Sequence, residues 1–262
     1  MLSYTDNKST LPTLVLIHGF CETKNIWKEF QTVITPYFRV ICIDLPGCGQ
    51  SNPLVKEQPL LSDFADEIYR TLLQLNVKKC TMIGHSLGGY VTLAYANKYP
   101  QTLNGIGLFH STAFADDDAK KDVRVRAAEF VRDNGMKAFV APMIANLFAL
   151  KHREQFRTEI NAIIEEATHE SSEETAKISL AMGLRENHTP LLSSLSIPVL
   201  FIIGKEDGAV PLAKSIEQAH LPKDAHVYYM ADVGHMGMFE VQTKAQQIIL
   251  NFLTYANNQV NA

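Results

Sequence analysis

Apolar residues fall along this chain in two kinds of run that alternate. Short, continuous, aliphatic-rich stretches occupy 13–17, 39–44, 79–83, 105–109, 197–203 and 225–230. An uninterrupted apolar run predicts a strand buried on both faces, as in a parallel sheet. Between these runs lie longer segments whose apolar positions repeat at helical spacing. They predict helices over 24–35 (Ile26, Trp27, Phe30, Val33 and Ile34 on one side), 61–75, 88–99, 212–220 and 241–255. Ser62 and Asp63 are the candidate caps of the second helix. Strands separated by helices in this way predict βαβ units, hence an α/β fold with a mainly parallel sheet flanked by helices.

The rhythm breaks once. Segment 111–194 carries no strand pattern and instead shows helical periodicity over 122–132, 136–150, 154–168 and 173–185. The expected organisation is a core made of residues 1–110 and 195–262, with 111–194 inserted as an all-helical cap at one edge of the sheet. The polar tail 257–262 is expected to fray.

With 262 residues, 46% of them hydrophobic, the chain can bury a large core as one domain with an insertion. A net charge of −4 leaves no basic footprint, so nucleic acid is not an expected partner. The longest aliphatic stretch, 199–203, falls far short of the roughly 20 residues that a bilayer-spanning helix requires. The first residues lack both a basic start and an apolar leader core, so no secretory signal is expected. The expectation is a cytoplasmic protein without a membrane partner. Cys21, Cys42, Cys48 and Cys80 form no C-x-x-C pair and read as reduced, small apolar residues. Cys42 and Cys80 fall in strands, whereas Cys21 and Cys48 lie in loops where they are candidates to line a pocket.

The candidate chemistry centres on Gly84-His85-Ser86-Leu87-Gly88-Gly89, placed between a strand and a helix. This is the G-x-S-x-G nucleophile elbow in its required context. A side chain at Gly84 or Gly88 would collide across so tight a turn. The elbow then projects Ser86 from the C-terminal edge of the sheet, where open α/β sheets bind ligands. A serine hydroxyl needs a base and a group that orients the base. Asp207 follows the fifth strand and His235 the sixth, so both hang in loops at the same edge as Ser86. Glu206 and Asp232 are rival acids, but Asp232 shares a short turn with His235, and Asp207, followed by Gly208 and Pro211, fits a loop that turns its acid inward. The oxyanion donors are expected to be the backbone N–H groups of Leu87 and of Phe20, in the loop His18-Gly19-Phe20-Cys21. Of the nine histidines, His18, His85, His110 and His235 fall at strand ends; His152, His169, His188, His220 and His226 read as surface positions.

These residues together resemble the α/β-hydrolase superfamily, in its serine-nucleophile, esterase-like branch with a helical cap. The matching motifs are His18-Gly19, the D-x-P-G-x-G-x-S turn from Asp44 to Ser51, the G-H-S-x-G-G elbow, the G-x-x-D loop at Asp207 and Gly234-His235. The resemblance implies an enzyme that cleaves a small carboxylic ester or related acyl bond through a covalent acyl-enzyme, with no metal or organic cofactor. Some related enzymes carry the acid after the fourth strand, but that edge reads His110-Ser111-Thr112 here, with no carboxylate before Asp116. Few residues precede Thr13, so the family's N-terminal antiparallel pair is expected to be truncated.

A serine at the elbow excludes the aspartate-nucleophile branches, the haloalkane dehalogenases and epoxide hydrolases. His18-Gly-Phe-Cys21 is not the H-G-G-G loop of hormone-sensitive-lipase-like enzymes. Carboxylesterases, enol-lactonases, thioesterase-like enzymes, C–C bond hydrolases and cofactor-free haloperoxidases remain, since all share the triad. A receptor-like member with negligible turnover is the alternative from another class. Phe139, Val140, Pro142, Met143, Ile144, Leu147 and Phe148 form an apolar face that either roofs the pocket or packs the insertion onto the sheet. Arg124, Arg126 and Arg185 read as helix-surface residues rather than as a carboxylate clamp, which favours an uncharged, moderately apolar acyl group. The oligomeric state is left open.

Overall fold

The computed structural model describes residues 1–259. Seven strands form one sheet among the described residues: β1 (Tyr4–Asp6), β2 (Thr13–Ile17), β3 (Arg39–Ile43), β4 (Cys80–His85), β5 (Leu103–Phe109), β6 (Val199–Gly204) and β7 (Ala225–Met230). Their spatial order is β1-β3-β2-β4-β5-β6-β7, and every pair is parallel except β1 with β3. The single short strand β1, with Tyr4 opposite Ile43, is what stands in place of the expected truncated N-terminal pair. The other strands lie within a few residues of the apolar runs that predict them.

Strand geometry sends alternate side chains to opposite faces, and both faces are covered. Val15, Ile17, Ile41, Ile43 and Met82 join one buried cluster with α1 (Leu61–Gln74) and α2 (Leu87–Lys98). Leu14, Leu16, Val40, Cys42 and Ile83 join the other, against α9 (Gln242–Gln259). This two-sided burial explains why the strands carry no polar alternation.

Local structure departs from the periodicity in three places. Segment 24–35 is not one helix but two 3₁₀ turns, Lys24–Trp27 and Phe30–Val33. Thr23 caps the first through Asn25 N–H at 3.1 Å, and Thr32 Oγ bonds back to Glu29 O at 2.7 Å, so side-chain competition and β-branching disfavour a continuous α-helix. Ser62 and Asp63 lie inside α1 rather than before it; Asp63 still serves the helix start by accepting from Leu60 N–H at 2.7 Å. At the other end of the chain α9 continues to Gln259, beyond the expected fraying point. Residues 260–262 of that tail lie outside the described residues.

Between β5 and β6 the chain runs through α3 (Asp118–Leu147), α4 (Arg157–Thr168), α5 (Ser172–Gly183) and the short α6 (Thr189–Ser194), the last of which the periodicity does not reveal. Helix α3 is broken at Gly135 (φ 79°, ψ 167°), which separates the two helical patterns visible in the sequence. α3 packs against both α4 and α5, and its Val131, Val140 and Ile144 share the buried cluster of the α9 face. The remaining helices are α7 (Leu212–Ala219) and α8 (Gly237–Glu240). Among the described residues no helix is long and apolar enough to cross a membrane.

Candidate active site

β4 ends at His85 and α2 begins at Leu87, which leaves Ser86 alone at the corner with φ 50° and ψ −115°. A non-glycine residue held there stores strain of about 1–3 kcal/mol. The surroundings enforce it: Ser86 N–H donates to Phe109 O at 3.0 Å, and Ser111 Oγ–H donates to Ser86 O at 2.7 Å. The flanking glycines are steric necessities. A Cβ on Gly84 would lie 2.1 Å from the Gly88 backbone, and one on Gly88 would lie 2.4 Å from Ile17 O.

The loops after β6 and β7 bring Asp207 and His235 together. His235 Nδ1–H donates to Asp207 Oδ2 at 2.7 Å, and both side chains are almost fully buried. The second oxygen, Oδ1, accepts from Ala209 N–H at 2.8 Å and Val210 N–H at 2.9 Å. Burial alone would raise the Asp207 pKa, but the adjoining His235, His110 and Val210 N–H outweigh it and hold the group at about 2. The rival acids point elsewhere: Asp232 pairs with Lys151 at 2.9 Å at the surface, and Glu206 is exposed.

Ser86 and His235 line one cavity of about 280 Å³ with Phe20 and Glu22, beneath Met143 and Leu147 of α3. No hydrogen bond joins Ser86 Oγ to His235 Nε2, although both side chains face this one cavity. Of the seven apolar residues in 139–148 singled out above, only Met143 and Leu147 face the cavity. Val140, Ile144 and Phe148 are buried packing residues, and Phe139 packs edge-on against Phe20 at 6.0 Å. Cys21 and Cys48 are buried free thiols that do not line it. The amides of Phe20 and Leu87 donate to no other described residue, and Leu87 opens α2, where N–H groups lack intrahelical acceptors.

Three further groups shape the site, and no motif announces them. Glu22, fully buried, accepts from Gly19 N–H at 2.6 Å and lies 2.9 Å from His85 Nδ1. Burial pushes the Glu22 pKa up, but the His85 imidazole and Gly19 N–H outweigh it and leave it lowered; His85 is raised in turn because Glu22 outweighs its desolvation. Both shifts favour the charged forms, and both ring nitrogens of His85 face oxygen atoms, Glu22 Oε2 and His235 O. His85 Nε2–H donates to His235 O at 2.9 Å, so one carboxylate braces the Gly19 loop, the elbow and the His235 backbone.

Glu240 does comparable work on the other side of His235. It accepts from Gly234, Met236 and Ala149 N–H at 3.0–3.1 Å and meets His152 Nδ1 at 2.8 Å, so His152 is not the surface residue its position in the sequence suggests. His110, the third group, has Gly204 N–H 3.1 Å from Nδ1 and Gly237 N–H 3.2 Å from Nε2. A neutral imidazole has one bare nitrogen, so only one of these contacts is a hydrogen bond. With Nε2 bare, Nδ1–H faces Asp207 Oδ2 at 3.6 Å, the arrangement that electrostatics favours. His18 is structural: its Nδ1–H donates to Gly19 O at 2.8 Å and its bare Nε2 accepts from Leu45 N–H at 3.0 Å, which joins the ends of β2 and β3. Asp44 holds its turn by taking Lys24 Nζ at 2.5 Å and Gln50 N–H at 3.0 Å.

Two of the three arginines leave the expected helix surface. Asp116, 4% exposed, draws Arg124 Nε to 3.1 Å of Oδ2 and Arg185 Nη2 to 2.7 Å of Oδ1. Arg124 thereby reaches the cavity wall, and Arg185 is buried over the Tyr90 ring.

Residues 12–241 match the family described as the α/β hydrolase fold. The chain belongs to this family. Among solved structures the hydrolase resembles a thermophilic esterase from Thermogutta terrifontis, with 29% identity and a TM-score of 0.91 over 97% of this chain and 93% of the other. The enol-lactonase of Burkholderia xenovorans LB400 superposes with a TM-score of 0.89 at 21% identity over 97% and 96% of the two chains, a likeness of fold. In sequence, the hydrolase is 25% identical over 248 residues to RutD of Serratia proteamaculans (strain 568), provisionally named a carbamate hydrolase, across 94% of this chain and 92% of that one.

Proposed function

We propose that this hydrolase cleaves a small carboxylic ester or related acyl bond through a covalent acyl-enzyme, with Ser86 as nucleophile, His235 as base and Asp207 as the group that orients the base. The observation that carries this reading is the 2.7 Å His235–Asp207 bond facing the cavity into which the strained elbow presents Ser86. Likeness to a named esterase supports the reaction class.

In this mechanism Ser86 Oγ attacks the acyl carbon while its proton passes to His235 Nε2. The carbonyl π electrons move to oxygen, where the N–H groups of Phe20 and Leu87 receive the charge. Collapse of the tetrahedral intermediate breaks the bond to the leaving group, which takes the proton from His235. Water then repeats the sequence on the acyl-enzyme and releases the acid. Asp207 keeps Nδ1–H in place and stabilises the imidazolium without taking its proton. Segment 111–194 acts in this reading as a cap that supplies Met143 and Leu147 to the cavity roof. Four unpaired thiols support placement in the reducing cytoplasm.

Steady-state hydrolysis of a short p-nitrophenyl ester tests the proposal, alongside covalent labelling by a fluorophosphonate. Wild type is expected to turn over continuously and to gain one label, and Ser86→Ala to lose both. Undiminished turnover in Ser86→Ala overturns the nucleophile assignment. A single stoichiometric burst points to the receptor-like alternative.

A further inference from the structure

We infer that the Ser86 cavity takes a substrate bearing a free carboxylate, with Lys120 as its counter-ion. This rests on the acyl-hydrolase reading and adds the substrate's charge to it. Lys120, in the first turn of α3, lines the same cavity as Ser86 and His235. The one hydrogen bond of its ammonium goes to a carbonyl, Ala209 O at 3.4 Å, and no carboxylate lies within ion-pair distance among the described residues.

The neighbouring acids are already committed. Asp116 is shared by two guanidiniums, those of Arg124 and Arg185, so one buried negative charge faces two positive ones before Lys120 is counted. Asp117 is at the surface, and its Oδ1 accepts from the backbone N–H of Lys120 at 2.8 Å. Glu22, the acid in the cavity wall, is held by His85 and Gly19 N–H. The cavity therefore carries an excess of positive charge on one side.

The rest of the wall is largely apolar, with Phe20, Val123, Met143, Leu147 and Met182. Desolvation by these surroundings lowers the Lys120 pKa; the nearby Asp116 and Asp117 carboxylates oppose the shift without contacting the ammonium, and Arg124 and Arg185 add to it. An ammonium without a counter-ion in such a place is electrostatically costly, and an anionic ligand offsets that cost. Ala209 also gives its N–H to Asp207, so its contact with Lys120 fixes the ammonium beside the loop that carries the acid. The volume, about 280 Å³, lies at the lower limit of small-molecule sites and suits a short chain between ester and carboxylate.

Two measurements test this separately from the nucleophile. The first compares kcat/KM for monomethyl adipate, with its carboxylate on the acyl side, for the butyryl ester of glycolate, with its carboxylate on the alcohol side, and for neutral methyl hexanoate. The expected result is a preference of about tenfold for at least one anionic ester, weakening as salt rises and collapsing in Lys120→Gln. Whichever anionic ester is preferred identifies the side that carries the charge. The second measures binding of glutarate to Ser86→Ala by calorimetry, where adding Lys120→Gln is expected to weaken affinity about tenfold. Equal use of charged and neutral esters, or glutarate binding that is absent or indifferent to Lys120, overturns the inference. If glutarate binds through Lys120 while no ester is hydrolysed and Ser86 takes no label, the acyl-hydrolase reading has failed and the anion site stands.

Discussion

At the scale of single residues, the site depends on a few buried charges whose partners are all fixed. Asp207 spends one oxygen on His235 and the other on two backbone amides, so its carboxylate is locked and ionised at any pH well above 2. Asparagine fits the same space but offers its NH₂ where an acceptor is needed, which leaves Nδ1–H unsupported and the wrong tautomer favoured. Asp207→Asn is expected to fold normally and to lower kcat by about 10⁴. A loss of only a few-fold, with folding checked by circular dichroism, contradicts the orienting role proposed for it.

At the scale of elements, the sheet edge collects the site, and turns do most of the shaping. The elbow is held by contacts across three strands: Gly84 against Gly88 within the turn, Gly88 against the end of β2, and Ser86 against the end of β5. The break in α3 is of another kind. Gly135 adopts φ 79° with ψ 167°, yet no atom lies within 4 Å of where its Cβ would be. Its constraint is thus conformational rather than steric. Gly135→Ala is expected to destabilise the protein by about 1–3 kcal/mol in urea unfolding, the usual cost of holding a non-glycine residue in such a region. An unchanged midpoint shows instead that α3 continues through 135 without its break.

At the scale of the whole molecule, buried imidazoles set the response to pH. Burial lowers His18 and His110, the latter to about 3, and both are neutral in the folded protein. An unfolded chain protonates them near pH 6.5. Below that value the unfolded state binds protons that the folded state refuses, so stability falls by about 1.4 kcal/mol per pH unit for each such group until its folded pKa is reached. His85 acts in the opposite sense, because its pKa is raised by Glu22. Its contribution is fully present below pH 6.5 and is lost as pH rises through the folded value. Unfolding free energy is therefore expected to peak near neutrality, and His110→Asn to flatten the acid limb. A constant free energy from pH 4.5 to 6.5 contradicts the neutral, buried state of both histidines.

Much of the architecture is legible in the order of residues because local chemistry dictates it. Continuous apolar runs can be satisfied only by strands covered on both faces, and Gly-x-Ser-x-Gly between strand and helix admits one backbone path. The order Ser86, Asp207, His235 is likewise readable, since each follows a strand of the same parallel sheet. What lies beyond sequence patterning depends on partners distant along the chain. The 3₁₀ turns after Thr23, the Glu22–His85 clamp and the convergence of Arg124 and Arg185 on Asp116 have no period to betray them. Their energies come from desolvation and from pairings between segments, which exist only once the chain has folded. The positions of the strands and of the elbow that carries Ser86 were thus set by sequence alone. The charge of the cavity, and the placement of Lys120 in its wall away from any carboxylate contact, were decided by tertiary structure, because only packing determines which charges are already neutralised.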